Sequence, residues 1–145
     1  AINKRFPPFM NLKTPGLTLG LQGLQFVATS TTAQSQSLAF PHPIHSIPTN
    51  GDNQDIVSMG FDAALFANRV VENAYIVFAI ELITLAQAVD YLHIQEKLSH
   101  ESRMLFDVVR FVFPKVVEDR VIMSELPLVT KLLQESSSLD INWNL

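Results

Sequence analysis

The chain has 145 residues, 48% of them hydrophobic, and a formal net charge of −4 at pH 7. That length suits one domain or one piece of a larger one, and the charge leaves no broad basic field to hold nucleic acid or anionic lipid. There is no cysteine, which excludes disulfides, thiolate metal sites and cysteine nucleophiles.

Ala1 to Arg5 lead into no apolar run of the kind a signal peptide needs, so the expected compartment is the cytoplasm. In Phe6-Pro7-Pro8-Phe9-Met10 two adjacent prolines bar a helix interior. An extended segment that fixes the direction of Phe9 is expected. Thr14-Pro15-Gly16 reads as a turn. From about Gly20 to Ala39 the chain has moderate helix propensity and almost no charge. The small uncharged residues of Ala28 to Leu38 suit close helix packing or a subunit interface.

Phe40 to Pro48 is an irregular connection broken by Pro41, Pro43 and Pro48. His42 and His45 have the spacing of a helical metal pair, but the prolines bar a helix and no third ligand follows at a diagnostic distance. Loop histidines are expected, and no metal. Ser46 to Gly60 is a polar, turn-rich loop that runs into the longest helical pattern. Pro48 and Gly51 break regular structure there. Asp52 or Asn53 is the expected helix cap, with Asp55 in the first turn, where a negative charge suits the helix dipole. Composition leaves two readings of this loop: an ordinary capped turn, or a place to hold a polar ligand.

Asp55 to Leu92 carries the dominant pattern. Ile56, Met59, Ala63, Phe66, Val70, Ala74, Val77, Glu81 and Leu85 recur at three- and four-residue steps. A continuous helix of that length spans about 57 Å, which belongs in a bundle. Glu81, set among apolar neighbours, is expected to be buried against an interhelical partner, the other reading being a catalytic acid. The most apolar window, Ala74 to Val89, contains Glu81 and Gln87 and is shorter than the roughly 20 residues a bilayer span needs, so no membrane partner is expected. A further helix is expected from Ser99 or His100 to about Phe113, ended by Pro114. Ser124 should cap a last helix with Pro127 in its first turn, ending near Gln134. Residues 135–145 are polar and unpatterned and are expected to be disordered. No strand pattern, repeat, Gly-rich phosphate loop or Gly-x-Ser-x-Gly turn occurs. The expected fold is an all-α long-helix bundle with a loop-rich N-terminal third.

Three segments resemble the aromatic amino acid ammonia-lyase family, which comprises histidine, phenylalanine and tyrosine ammonia-lyases and the related 2,3-aminomutases. Phe6-Pro7-Pro8-Phe9-Met10 with Pro15-Gly16-Leu17 is similar to the family's Leu-Pro-Pro-Phe-Leu and Pro-Gly-Leu-Asn-Ser-Gly. Ser46-Ile47-Pro48-Thr49, followed by Asn53-Gln54-Asp55 and Val57-Ser58-Met59-Gly60, is similar to its Ser-Ile-Pro-Thr, Asn/Gln-Gln/Glu-Asp and Val-Ser-Met stretch. Ile80-Glu81-Leu82 through Ala86-Gln87-Ala88 resembles its Ile-Glu-Leu-Leu-Ala-Ala-Ala-Gln-Gly helix. The likeness runs from about Arg5 to Gln134 and looks like the C-terminal portion of a much longer enzyme. It departs from the family at Thr18, at Gln34-Ser35-Gln36 and at His45.

The resemblance implies elimination of ammonia from an aromatic amino acid to give an arylacrylate, or a 2,3-amino shift. It also implies an electrophilic methylidene-imidazolone (MIO), formed from an internal Ala-Ser-Gly that these 145 residues do not contain. The portion would then be inactive alone and need an N-terminal lyase portion, or self-association, as partner. No catalytic residue is assigned to this chain. The substrate-binding residues carried over by position are Phe9, beside the prosthetic group, and Gln54, with Asn53 next to it. A Gln rather than a Glu at position 54 suggests a carbocyclic substrate over histidine. The alternative is a non-catalytic helical oligomerisation or partner module derived from a lyase.

Overall fold

The computed structural model describes residues 5–14 and 16–135. Four α-helices follow one another: α1 (Gln22–Leu38), α2 (Gly60–Leu92), α3 (His100–Val112) and α4 (Leu126–Gln134). Single 3₁₀ turns stand at Pro8–Met10, His42–His45 and Gln95–Lys97. No strand forms among the described residues; an isolated antiparallel bridge joins Thr49 and Gln54. The helical architecture is the expected one. The expected disordered tail lies outside the described residues, except for Glu135.

α2 is the axis of the molecule. α1, α3, α4 and the first two 3₁₀ turns all pack on it. It begins five residues later than its sequence pattern predicts. Two contacts hold residues 46–57 as a loop: the Thr49–Gln54 bridge, and a 2.7 Å hydrogen bond from the Val57 N–H to the Ser46 hydroxyl. Neither Asp52 nor Asn53 caps the helix. Met59 occupies the cap position in a left-handed conformation (φ 50°), and Asp62 rather than Asp55 supplies the first-turn carboxylate.

The buried face of α2 also differs from the expected stripe. Asn73, Ala79, Ile80, Ile83, Ala86, Gln87 and Asp90 are buried, whereas Phe66, Leu85 and Glu81 are exposed. The period is the expected one, but at 100° per residue the phase is turned by about 140°, so that no residue of the expected stripe is fully buried. Glu81 therefore stands beside the core and needs no buried partner. By length and composition α2 could cross a bilayer. Its buried face, however, carries Asn73, Gln87 and Asp90 bonded to neighbouring elements, as in a core helix.

The core joins Leu21 and Leu24 at the start of α1, Ile80 and Ile83 of α2, Phe113 and Val116 after α3, and Leu126 and Val129 of α4. Each fully buried side chain of this kind contributes about 1.5–3 kcal/mol. α3 starts at Ser99, whose hydroxyl accepts from the Ser102 N–H at 3.2 Å. It stops at Phe113, because the residue before Pro114 is driven out of the α region. α4 carries Pro127 in its first turn as expected, but Glu125, not Ser124, is its cap residue. Toward the other end of α2, the buried Asn73 donates to Gln34 (2.9 Å) and Ser35 (3.1 Å) of α1.

Candidate functional site

Phe9 stands on a turn, not on an extended segment. Pro7 is extended (φ −68°, ψ 154°), and Pro8–Met10 closes one 3₁₀ turn, which a proline at its start tolerates because its missing N–H would have had no partner there. Phe9 (φ 54°) and Met10 (φ 51°) are both left-handed. That conformation costs an L-residue with a Cβ roughly 1–2 kcal/mol, so the surroundings must hold it. The Leu21 N–H donates to the Phe9 carbonyl at 2.9 Å, and the Met10 N–H to Pro7 at 3.2 Å. Asn11 exchanges side-chain hydrogen bonds with Thr18, donating to its carbonyl and accepting from its hydroxyl. Gly20 (φ 57°) passes so close that a Cβ there would sit 2.9 Å from the Phe9 oxygen. The carboxylate of Asp119 accepts from the N–H groups of Leu19 (2.9 Å) and Gly20 (3.3 Å).

Met10 is buried under this turn while the Phe9 side chain is 42% exposed. Phe9 borders an open, mostly apolar groove of about 1000 Å³, which Leu21, at the cap of α1, Leu24 and Gln25 of α1, and Ile80 and Thr84 of α2 complete.

Asn53 and Gln54 share a second feature. Asn50, Gly51 and Asp52 are consecutive left-handed residues (φ 56°, 61° and 65°), the residue types that reach this region most readily. They reverse the chain so that Thr49 and Gln54 exchange backbone hydrogen bonds of 3.0 and 3.3 Å. The Gln54 amide oxygen accepts from the Thr49 hydroxyl at 3.2 Å. Both Asn53 and Gln54 are exposed. Within this chain the two stand together on one loop, and neither lines the Phe9 groove.

His42 and His45 sit on a 3₁₀ turn that the prolines accommodate, contrary to the expectation of no helical turn there. The His42 ring meets the Phe66 ring edge-on at 4.5 Å, and His45 lies 5.8 Å from Phe40. No group of three or more His, Cys, Asp or Glu that could hold a metal occurs among the described residues.

A buried polar chain behind the Phe9 turn escaped the sequence reading. Gln87 bonds to Met10, Val116 and Arg110. Arg110 pairs with Asp90 at 2.8 Å, and Asp90 accepts from Gln95 at 3.0 Å. Burial pushes the Arg110 guanidinium below its ordinary range, opposed by the carboxylate of Asp90. The available signal was the three-residue step between Gln87 and Asp90, which puts both on one helix face.

A left-handed aromatic turn over an apolar groove and an Asn-Gln loop thus flank one long helix in an all-α module. The family described as aromatic amino acid lyase matches residues 1–111. The chain is 33% identical to the tyrosine ammonia-lyase of Cupriavidus metallidurans over 97% of its own length and 26% of that protein's. It is 36% identical to the histidine ammonia-lyase of Bacillus subtilis over 95% and 27%. Among solved structures it superposes on the tyrosine aminomutase of Streptomyces globisporus with a TM-score of 0.86 and 35% identity, over 92% of this chain and 25% of that one. The chain therefore belongs to the aromatic amino acid lyase family, and it spans about a quarter of the length of the relatives it matches.

Proposed function

We propose that this chain is the C-terminal portion of an aromatic amino acid ammonia-lyase, supplying part of the wall of a site that eliminates ammonia to give an arylacrylate. The observation that carries the reading is the Phe9 turn. An aromatic ring is left 42% exposed on a backbone conformation that needs several hydrogen bonds to hold it. A ring so fixed and so open suits contact with a flat group, and the apolar groove beside it suits an aryl side chain. The residues present thus fit the MIO group of the family, with Phe9 as the residue that would pack beside it. That group, when bound, supplies an electrophile for the substrate amine.

Gln54, with Asn53 beside it, offers a neutral amide to the substrate ring. This favours phenylalanine or tyrosine over histidine, whose imidazole gains from a carboxylate. Self-association, or docking with an N-terminal lyase portion, would cover Phe26, Phe61, Leu65, Phe78 and Phe111, all of which the chain leaves exposed. The chain alone would then be inactive.

The test is loss of phenylalanine, tyrosine and histidine, measured with this chain alone and mixed with an N-terminal lyase portion. Activity only in the mixture supports the proposal. Activity from the chain alone overturns the partial-site account, and silence in the mixture favours a non-catalytic helical module.

A further inference from the structure

The Phe9 turn is gripped by a side chain that stands behind the pocket wall. Gln87, on the buried face of α2, is 0% exposed, and all four hydrogen-bonding places of its amide are filled. Its Nε2 donates to the carbonyls of Met10 (3.4 Å) and Val116 (2.6 Å). Its Oε1 accepts from the Val116 N–H (3.3 Å) and from Arg110 Nη2 (3.2 Å). Arg110 is fixed in turn by Asp90 at 2.8 Å and by the Phe113 carbonyl, to which its Nη1 donates at 3.0 Å. The Phe9 and Met10 carbonyls are thus held by two different elements: Phe9 by the Leu21 N–H, Met10 by Gln87. The two peptide units on either side of the Met10 Cα are each held, so Met10 cannot relax its left-handed torsion without breaking one of these bonds, and the Phe9–Met10 peptide is fixed with it.

We infer that Gln87 is a positioning residue for the reaction proposed above. It locks the Pro8–Met10 turn to α2 so that Phe9 presents its ring to the groove, while Arg110 and Asp90 orient the amide. Only a side chain with two donors and an acceptor fits this place. A carboxylate would face two carbonyl oxygens, so Gln87→Glu is not conservative here. The catalytic consequence rests on the lyase reading; the mechanical one does not.

The experiment has two arms. In the full chain, Gln87→Met keeps the side-chain volume and removes the grip. Hydrogen exchange at the Leu21 amide, which Gln87 does not touch, should rise at least about tenfold. Asn73→Ala, which breaks hydrogen bonds at the other end of α2, should leave that exchange unchanged. If Gln87→Met does not fold, Gln87→Glu, which keeps a partner for Arg110, carries the same expectation.

In the assembly with an N-terminal lyase portion, Gln87→Met should lower kcat about 100-fold with KM moved by no more than about twofold. In a Phe9→Ala background the further loss should shrink to about twofold or less, since one residue acts through the other. Unchanged Leu21 exchange overturns the grip. Additive losses in the double variant overturn its action through Phe9. An unsubstituted assembly silent toward every aromatic amino acid overturns the lyase reading, and the exchange arm still decides the grip.

Discussion

At the scale of single residues, the two features of the candidate site owe their shape to left-handed backbone positions, and their chemistry to an aromatic ring in one and to amides in the other. Gln54 is exposed on a loop built by Asn50, Gly51 and Asp52, so substituting it should change recognition without disturbing the fold. We expect Gln54→Glu, in the active assembly, to shift preference toward histidine by about tenfold in the ratio of kcat/KM values, roughly the worth of one charge-assisted hydrogen bond. Competition between histidine and phenylalanine measures it, and an unchanged ratio removes Gln54 from the substrate contact. Arg110 poses the opposite problem. Its partner Asp90 is buried, so Arg110→Ala would strand a carboxylate and remove one of the two donors to the Oε1 of Gln87. It should cost about 3–5 kcal/mol in chemical denaturation. Arg110→Met with Asp90→Leu together should recover part of that loss, because no charge is then left unpaired.

At the scale of elements, the turns are less forgiving than the helices they join. Gly20 answers to two constraints at once: its φ of 57°, and the approach of the Phe9 oxygen to 2.9 Å of where a Cβ would stand. Gly20→Ala should therefore destabilise the chain by about 2 kcal/mol or more. Thermal denaturation beside Gly23→Ala, which meets nothing within 4 Å and lies within α1, provides the control. α3 carries a pH signature. The Glu101 carboxyl in its first turn is held below its ordinary pKa, chiefly by a hydrogen bond from its own backbone N–H and next by Ser99. A folded-state pKa below the unfolded one gives stabilisation that is complete above the unfolded value and disappears as pH falls through the folded one. Melting temperature should fall below about pH 4 by less in Glu101→Gln than in the unsubstituted chain.

Much of this was legible in advance. Ser99, Pro114 and Pro127 marked helix ends because caps and prolines act within a few residues of chain. The Phe-Pro-Pro-Phe-Met and Asn-Gln-Asp segments offered Phe9, Asn53 and Gln54 as candidates by their likeness to a family. The start of α2 was not legible: the Val57–Ser46 hydrogen bond and the Thr49–Gln54 bridge unwind residues whose periodicity is helical. Nor was its buried phase. Phe66, Leu85 and Glu81 lie on a stripe with helical period, but a helix has other faces of the same period, and the packing of α1 and α4 on one side of α2 selects the face that is covered. The Gln87–Arg110–Asp90 chain joins residues from separate helices, a pairing that linear spacing does not encode.

At the scale of the whole molecule, the core is concentrated around the C-terminal half of α2, while the N-terminal half carries Phe61, Leu65 and Val71 into solvent. Phe26 of α1 and Phe78 of α2 are exposed as well, and large apolar side chains left open in such number suit an interface. We expect the chain to self-associate, with a mass by light scattering above that of its 16.2 kDa monomer and a melting temperature that rises with concentration. A well-folded monomer at all concentrations would contradict this.

The grip on Phe9 has a consequence for building and recombining chains of this family. Leu21, Gln87, Arg110 and Asp119, which hold the turn or its neighbours, all come from this same stretch of chain. A chimera joined ahead of Arg5 would inherit the aromatic wall and its mounting together. One joined between Leu38 and Gly60 would take the ring from one parent and its anchor from another, and would have to match them anew.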